Sequence, residues 1–279
     1  MTVSPGRYGV WRHATGLSPQ LAREIESLGF GAVWIGGSPP GDLKLAEDLL
    51  DATTSLVVAT GIVNMWTTPA DEVAPSYHRI AERHPDRFLL GVGIGHPEAT
   101  GDYSRPYATI VEYLDRLDAL DVPVAGRALA ALGPKVLDVS RDRTAGAHPY
   151  LTTPEHTRSA REQLGDGVLL APEHKVVLDD DPESARALGR PVVQRPYLGL
   201  RNYRANLLRL GWAESDLDDG GTDALIDALV AHGTPEQVAA RLDEHLAAGA
   251  DHVCAQVLTR GMRDPEPDLG RLASALGIG

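Results

Sequence analysis

The chain has little cysteine and little lysine. Cys254 is the only cysteine in 279 residues, which excludes an internal disulfide and a cysteine-based zinc site. We expect this thiol to be buried in the strand-like run Asp251–Leu258 rather than to act as a nucleophile. Lysine occurs only at Lys44, Lys135 and Lys175. The net charge of −13 argues against non-specific binding of nucleic acid or of an anionic membrane.

Long apolar runs and targeting signals are also missing. No apolar run approaches the length of a membrane-spanning helix, and the N-terminus has no cationic segment leading into an apolar signal core. We therefore expect a cytoplasmic protein without membrane or nucleic-acid partners. With 43% hydrophobic residues, the chain is long enough to bury a large α/β core.

Strand-like and helical segments alternate along the chain. Strands are predicted at Tyr8–Trp11, Gly31–Ile35, Ser55–Asn64, from Phe88 onward, and at Arg127–Leu132, Gly146–Leu151, Lys175–Leu178 and Val253–Leu258. Helices are predicted between them, including Pro19–Leu28, Ala70–His84, Tyr107–Leu120, Pro154–Leu164, Tyr203–Trp212, Thr222–Ala231 and Pro235–Ala248.

Eight strands with intervening helices predict a (β/α)8 TIM barrel that forms a single domain over residues 1–279. The region of about 180–234 is longer than one strand–helix unit requires, so we expect a helical insertion there, between strands 7 and 8. The alternative is an open doubly wound sheet. That fold usually carries a GxGxxG turn after its first strand, and no such turn follows Trp11.

The segment Phe88–Glu98 carries the strongest functional signal. Its apolar run opens into glycines and then into His96 and Glu98. Glycine lets a flat ligand approach the backbone, and α/β enzymes keep ionisable site residues just past the ends of buried strands. An ordinary strand-to-helix loop is the alternative interpretation.

Other candidate site residues also follow predicted strands. They are Arg12 and His13, Gly36–Ser38, Asn64–Trp66, Gly133–Lys135 and Thr152–His156. The set has no His-x-His pair or carboxylate cluster for a metal, and the chain has no GxSxG motif. A glycine-rich site with few ionised groups suits a flat organic cofactor whose own ring carries the chemistry. Taken alone, His13 is equally consistent with a surface histidine.

Several of these stretches resemble one known family. They are Gly6–Trp11, Gly31–Gly36, Ala59–Trp66, Gly91–His96, Ala131–Lys135 and Gly146–His156. On these residues the chain resembles the luciferase-like monooxygenase superfamily, and within it the actinobacterial branch of oxidoreductases that use the deazaflavin coenzyme F420. The resemblance covers nearly the whole chain.

The resemblance implies a set of cofactor-binding residues. A non-proline cis peptide at Gly61–Ile62 would press against the deazaflavin ring, with Asn64 at the ring edge and Gly95 beside the ring. The backbone at Gly133 would hold the cofactor phosphate, close to Pro134 and Lys135, and hydroxyls of Thr152 and Thr153 would bind the same tail. A plain helix-starting turn is the alternative interpretation of Gly133–Pro134.

The chain departs from F420-dependent sugar-phosphate dehydrogenases of this superfamily. Their Asp-His pair after strand two corresponds to Gly36–Gly37 here, and their catalytic glutamate after strand four corresponds to His96. The sugar-phosphate mechanism is therefore not carried over. We predict instead that His96 and His13 donate the proton, because histidine titrates near neutral pH.

These observations predict an F420-dependent oxidoreductase that transfers a hydride between the deazaflavin and a small organic substrate. An FMN-dependent monooxygenase and a catalytically silent F420-binding protein are the alternatives; loss of the Asp-His pair suggests the second. A homodimer is expected because dimers are common among the relatives.

Overall fold

The computed structural model describes residues 3–95, 105–260 and 265–279. His96, predicted to be catalytic, lies outside the described residues. The strands are β1 (Tyr8–His13), β2 (Ala32–Gly36), β3 (Val57–Thr60), β4 (Val63–Asn64), β5 (Phe88–Gly93), β6 (Arg127–Leu129), β7 (Gly146–Ala147), β8 (Leu169–Leu170), β9 (Glu173–Val177), β10 (Val230–His232) and β11 (Val253–Val257).

The described helices alternate with these strands, as the sequence predicts. They are α1 (Pro19–Ser27), α2 (Lys44–Ala52), α3 (Ala70–Arg83), α4 (Pro106–Ala119), α5 (Pro134–Arg143), α6 (Pro154–Leu164), α7 (Pro182–Gln194), α8 (Arg201–Arg209), α9 (Glu214–Leu217), α10 (Asp223–Leu229), α11 (Pro235–Ala247) and α12 (Glu266–Leu276). The region of about 180–234 contains α7 to α10 and also β10.

The strands form one curled parallel sheet in the order β10-β9-β11-β1-β2-β3-β5-β6-β7-β8, with β4 paired to β5. Only Ala171 and Pro172 separate β8 from β9. On one side of this segment the Ala171 N–H donates to the Ala147 carbonyl of β7 at 2.9 Å; on the other, the Cys254 N–H of β11 donates to the Pro172 carbonyl at 3.0 Å. The segment therefore links β7, near one end of the strand order, to β11, near the other.

Side chains that alternate along the strands build two apolar layers. On β2, Val33 and Ile35 pack outward with Leu21 and Ile25 of α1, whereas Trp34 packs inside the curl in a cluster that contains Cys254. This alternation follows from the two-residue period of a strand. Cys254 is buried, as predicted.

Several element boundaries differ from the predictions. The predicted strand Ser55–Asn64 is divided into β3 and β4, and the predicted helix Thr222–Ala231 ends at Leu229 because the next residues form β10. There Val230 pairs with Lys175 of β9. The seventh strand begins before Lys175, at Glu173, and is preceded by β8. At β10 and at the start of β9, pairing with a distant strand overrides the local pattern, whereas β3 and β4 are separated by Gly61 and Ile62.

Two structural features are absent from residues 3–95, 105–260 and 265–279. No described helix is long and apolar enough to cross a membrane. Within the same ranges, no three His, Cys, Asp or Glu side chains are grouped so as to hold a metal ion.

Glu26 joins the end of α1 to the start of β3. Its Oε1 accepts hydrogen bonds from the backbone N–H groups of Thr54, Ser55 and Leu56 at 2.9, 2.6 and 2.9 Å. Burial raises the pKa of Glu26, but the N–H groups of Ser55 and Leu56 outweigh it and lower the pKa from 4.5 to about 2. The ionised carboxylate therefore favours the folded state.

We predict that Glu26→Gln lowers the free energy of unfolding by about 1 kcal/mol at pH 7, a value reduced for solvent screening. Because the folded pKa lies below the unfolded one, the wild-type advantage is complete above pH 4.5 and disappears as the pH falls toward 2. Urea denaturation at several pH values measures it. Glu24→Gln is the matched control, since the Glu24 carboxylate accepts from the neighbouring Gln20 side chain and from no backbone N–H group of the described residues. A pH-independent difference would contradict the prediction.

Candidate active site

A cavity of about 470 Å³ lies at the carboxyl ends of the strands. Its described lining includes Trp11, His13, Gly37, Ser38, Gly61, Ile62, Asn64, Ile94, Gly95, Ile110, Ala130–Gly133, Val136, His148, Tyr150, Tyr197, Asn202 and Tyr203. Six of the residues predicted to be catalytic or to bind the cofactor belong to it, namely His13, Gly61, Ile62, Asn64, Gly95 and Gly133, and so do Gly37 and Ser38 of the candidate stretch Gly36–Ser38. The structure thus brings together residues that are up to 120 positions apart, from His13 to Gly133.

Four predicted cofactor-binding residues lie outside this lining. Pro134 and Lys135 are exposed on the first turn of α5. Thr152 and Thr153 are buried, and Thr153 borders a separate cavity with Glu155 and Arg241. Contact between these four residues and a cofactor stays a prediction.

The peptide bond between Gly61 and Ile62 is cis, as the resemblance implies. The Trp11 indole Nε1–H donates to the Gly61 carbonyl at 3.3 Å and so ties this bond to β1. Nearby, the Asn64 Oδ1 accepts from the Trp66 N–H at 2.9 Å, and a Cβ on Gly95 would lie 2.7 Å from the Asn64 Nδ2. The Asn64 amide is thus held in place against Gly95.

The pair Gly36–Gly37 has a packing role. A Cβ on Gly36 would overlap the Trp11 ring, and a Cβ on Gly37, whose φ is +81°, would overlap the imidazole of His13. The His13 Nδ1 accepts from the Thr15 N–H at 3.3 Å and lies 2.9 Å from the Thr15 Oγ1, so Nε2 is the ring nitrogen that carries an N–H when Nδ1 accepts. It is this Nε2 that lies against Gly37. Side chains from β1 therefore fill the space that residues 36 and 37 leave open.

His148 lines the cavity. The sequence predicts it only as part of the strand Gly146–Leu151 and not as a site residue. It is 1% exposed and stacks on Trp34 with ring centroids 4.0 Å apart and planes 12° apart. Burial lowers the pKa of His148 to about 4, so the ring is neutral at physiological pH. In the sequence, His148 follows Gly146 and Ala147 and precedes Pro149, and this local pattern does not indicate that its ring belongs to the site.

An ion pair is buried behind the tyrosine side of the cavity. The Lys175 Nζ donates to the Glu173 Oε1 and the Gln256 Oε1, both at 3.1 Å, and lies 3.9 Å from the centre of the Tyr150 ring. Burial raises the pKa of Glu173 and lowers that of Lys175, while their mutual attraction opposes both shifts. The Tyr150 hydroxyl donates to the Gln256 Oε1 at 2.8 Å. This network fixes the wall that Tyr150 presents to the cavity.

The cavity is neutral within its described lining but has a cation beside one end. No Asp, Glu, Lys or Arg occurs among the described lining residues. At the N-terminus of α5, a Cβ on Gly133 would lie 3.8 Å from the Arg209 Nη2. Arg209 belongs to α8, whose residues Asn202 and Tyr203 also line the cavity. A helix N-terminus next to a guanidinium favours an anion.

Comparison with solved structures identifies the fold. An F420-dependent secondary alcohol dehydrogenase in complex with an F420–acetone adduct has a TM-score of 0.73 at 15% identity, covering 98% of each chain. The F420-dependent tetrahydromethanopterin reductase of Methanopyrus kandleri has a TM-score of 0.70 at 16% identity, covering 98% of this chain and 99% of its own.

An FMN-containing protein has the same fold. The oxygenating constituent of 3,6-diketocamphane monooxygenase from Pseudomonas putida, a type II Baeyer–Villiger monooxygenase in complex with FMN, has a TM-score of 0.68 at 13% identity, covering 96% of each chain. No family model matches the chain. The chain therefore has the luciferase-like monooxygenase fold, in which F420-dependent and FMN-dependent enzymes both occur.

We predict that Gly36→Ala lowers the free energy of unfolding by about 1–3 kcal/mol, because the added methyl group forces the Trp11 ring out of its place. Chemical denaturation and the fluorescence of the folded state measure the change. Gly199→Ala is the matched control, since nothing lies within 4 Å of a Cβ there. Equal stability of the two variants would contradict the prediction.

Proposed function

We propose that this protein is an F420-dependent oxidoreductase that transfers a hydride between the deazaflavin and a small organic substrate. The observation that carries the proposal is the shape and charge of one cavity. Its described lining is uncharged and largely apolar, and one end meets the α5 N-terminus beside Arg209. A planar, mostly apolar ring with an anionic tail matches both parts.

The residues present fit such a cofactor. The backbone at Gly61, Ile62 and Gly95 gives a flat ring close access, since the two glycines carry no side chain. The amides that begin α5 at Gly133, with Arg209, would hold the phosphate. Bound F420 would supply the hydride chemistry, and the apolar lining would exclude water from it.

His13 is the proton donor in this proposal. Reducing a carbonyl by hydride requires a proton at the oxygen, and the reverse oxidation of an alcohol requires that proton to be accepted. The His13 Nε2–H lies at Gly37 on the cavity wall, where the resemblance places the histidine of the sugar-phosphate dehydrogenases. An imidazole from β1 thus stands close to a position where those enzymes use one from strand two. His96 stays a second candidate.

The proposal also includes the barrel, its single domain and the inserted region. We interpret the curled sheet as a (β/α)8 barrel in a single domain, with the region of about 180–234 inserted before the last strand. Tyr197, Asn202 and Tyr203, which line the cavity, come from this region. The inserted helices would therefore shape the substrate side of the site. The homodimer and the actinobacterial branch stay predictions.

Titration of the purified protein with F420 and with FMN, followed by ligand fluorescence, tests the choice of cofactor. We expect F420 to bind at least tenfold more tightly, a difference of about 1.4 kcal/mol. Tighter binding of FMN would reject the proposal in favour of a flavin monooxygenase. Tight F420 binding without turnover of any ketone, enone, imine or alcohol would instead indicate a silent binding protein.

We predict that His13→Ala lowers kcat by about 10²–10⁴-fold, the usual contribution of a positioned proton donor. The affinity for F420 should change less than about twofold, because the weak hydrogen bond lost is worth little in binding. The measurement follows F420 reduction with 2-propanol and the reverse reaction with acetone. His78→Ala is the control, since His78 is on α3 and bonds to the Leu120 carbonyl.

The double variant His13→Ala with Gly37→His makes this test sharper. It moves the imidazole from β1 to the neighbouring strand end, where the left-handed backbone costs about 1–2 kcal/mol. Partial recovery of kcat over His13→Ala would support a role for the imidazole itself. Wild-type kcat in His13→Ala would exclude His13 as the donor.

A further inference from the structure

His148 has one ring nitrogen that is satisfied and one that is not. Its Nδ1 lies 2.7 Å from the Ala171 carbonyl, which can only accept, so Nδ1 carries the proton. Its Nε2 is buried and has no hydrogen-bond partner among the described residues. That atom would lie 3.0 Å from a Cβ on Gly61, so it faces the strand end at the cavity floor.

The ring is held in this state by its surroundings. The nearly parallel Trp34 ring fixes its plane, and the Ala171 carbonyl fixes its tautomer. A second histidine, His252, also contacts Trp34. Its Nδ1 donates to the Gly6 carbonyl at 2.8 Å, and its Nε2 accepts from the Trp34 Nε1–H at 3.0 Å. His252 is thus fully bonded, whereas His148 offers a free lone pair on Nε2.

A buried acceptor without a donor is costly. Such a group loses its hydrogen bond to water and gains none in return. The cost is recovered if a ligand brings an N–H or O–H to the atom. A neutral, oriented, water-excluded acceptor is the kind of group that fixes the orientation of a ligand in an apolar pocket.

We propose that His148 is a cofactor-binding residue whose Nε2 accepts a hydrogen bond from the edge of the deazaflavin ring that enters the cavity most deeply. The inference rests on the proposed function. Two donors at opposite ends of the ring have the required chemistry: the pyrimidine N–H, which flavins share, and the phenolic hydroxyl, which flavins lack.

Three variants separate this acceptor role from packing. His148→Phe keeps a flat ring on Trp34 but removes the acceptor, and we expect it to weaken F420 binding about tenfold to hundredfold. His148→Gln supplies an amide oxygen and should recover part of the affinity. His252→Gln is the matched control: it alters the hydrogen bond at the Trp34 Nε1 edge and should leave the Kd for F420 within about twofold of wild type.

The wild-type protein gives an independent measurement that no folding defect can obscure. In protein carrying ¹⁵N-labelled histidine, the unprotonated Nε2 resonance of His148 should move upfield when F420 is added and stay in place with phosphate alone. Deazaflavins methylated on the pyrimidine nitrogen or on the ring hydroxyl identify the donor, because only one of them should fail to shift the resonance.

The outcomes separate the two proposals. If wild-type protein does not bind F420, both the proposed function and the role of His148 are overturned. If F420 binds but His148→Phe keeps the wild-type Kd, or the Nε2 resonance does not move, only the role of His148 is overturned. If His148→Phe does not fold, the resonance measurement alone decides.

Discussion

The cavity depends on the close packing of aromatic and imidazole rings against strand ends that lack a Cβ. Trp11 occupies the space beside Gly36, His13 that beside Gly37, and His148 approaches Gly61. Any larger residue at these glycines would displace a ring, so the glycines are a requirement of the packing as well as an opening for a ligand. The imidazoles of the candidate site therefore come from β1 and from the residues after β7, while β2 and β3 leave space for them.

Much of the fold follows from local patterns in the sequence. Alternating strands and helices, proline at the first turn of a helix and glycine after the last turn predict most elements to within a few residues. Patterns fail where distant pairing decides, as at Val230, which continues a helical pattern but joins β9. Motif resemblance located the cis bond at Gly61–Ile62, which no periodicity indicates.

The candidate site was less predictable, for a physical reason. The role of His148 depends on the Ala171 carbonyl and on Trp34, which are 23 and 114 positions away along the chain. Arg209 approaches Gly133 only because α8 folds back over the strand ends. Its position at a strand end predicts that Thr152 lies near a site. The Thr152 side chain is nevertheless buried outside the described lining, because α6 begins shortly after it and His174 of β9 contacts its carbonyl. Sequence position gives neither tautomer nor orientation.

The absence of charge from the described lining has a further consequence for the chemistry. The buried Glu173–Lys175 pair lies directly behind Tyr150, and there each charge compensates the other because both have lost their contact with water. With the pair covered by a tyrosine ring, the cavity receives an aromatic face instead of a charge. The described lining has no Asp, Glu, Lys or Arg side chain. In the proposed reaction, the groups that could gain or lose charge in the cavity are therefore the bound ligand and the two histidines, His13 and His148. The two differ in a useful way, since His13 presents a proton on Nε2 and His148 presents a lone pair. A ligand with an acceptor near one and a donor near the other would be held in a single orientation, which is the specificity that an apolar cavity alone cannot provide.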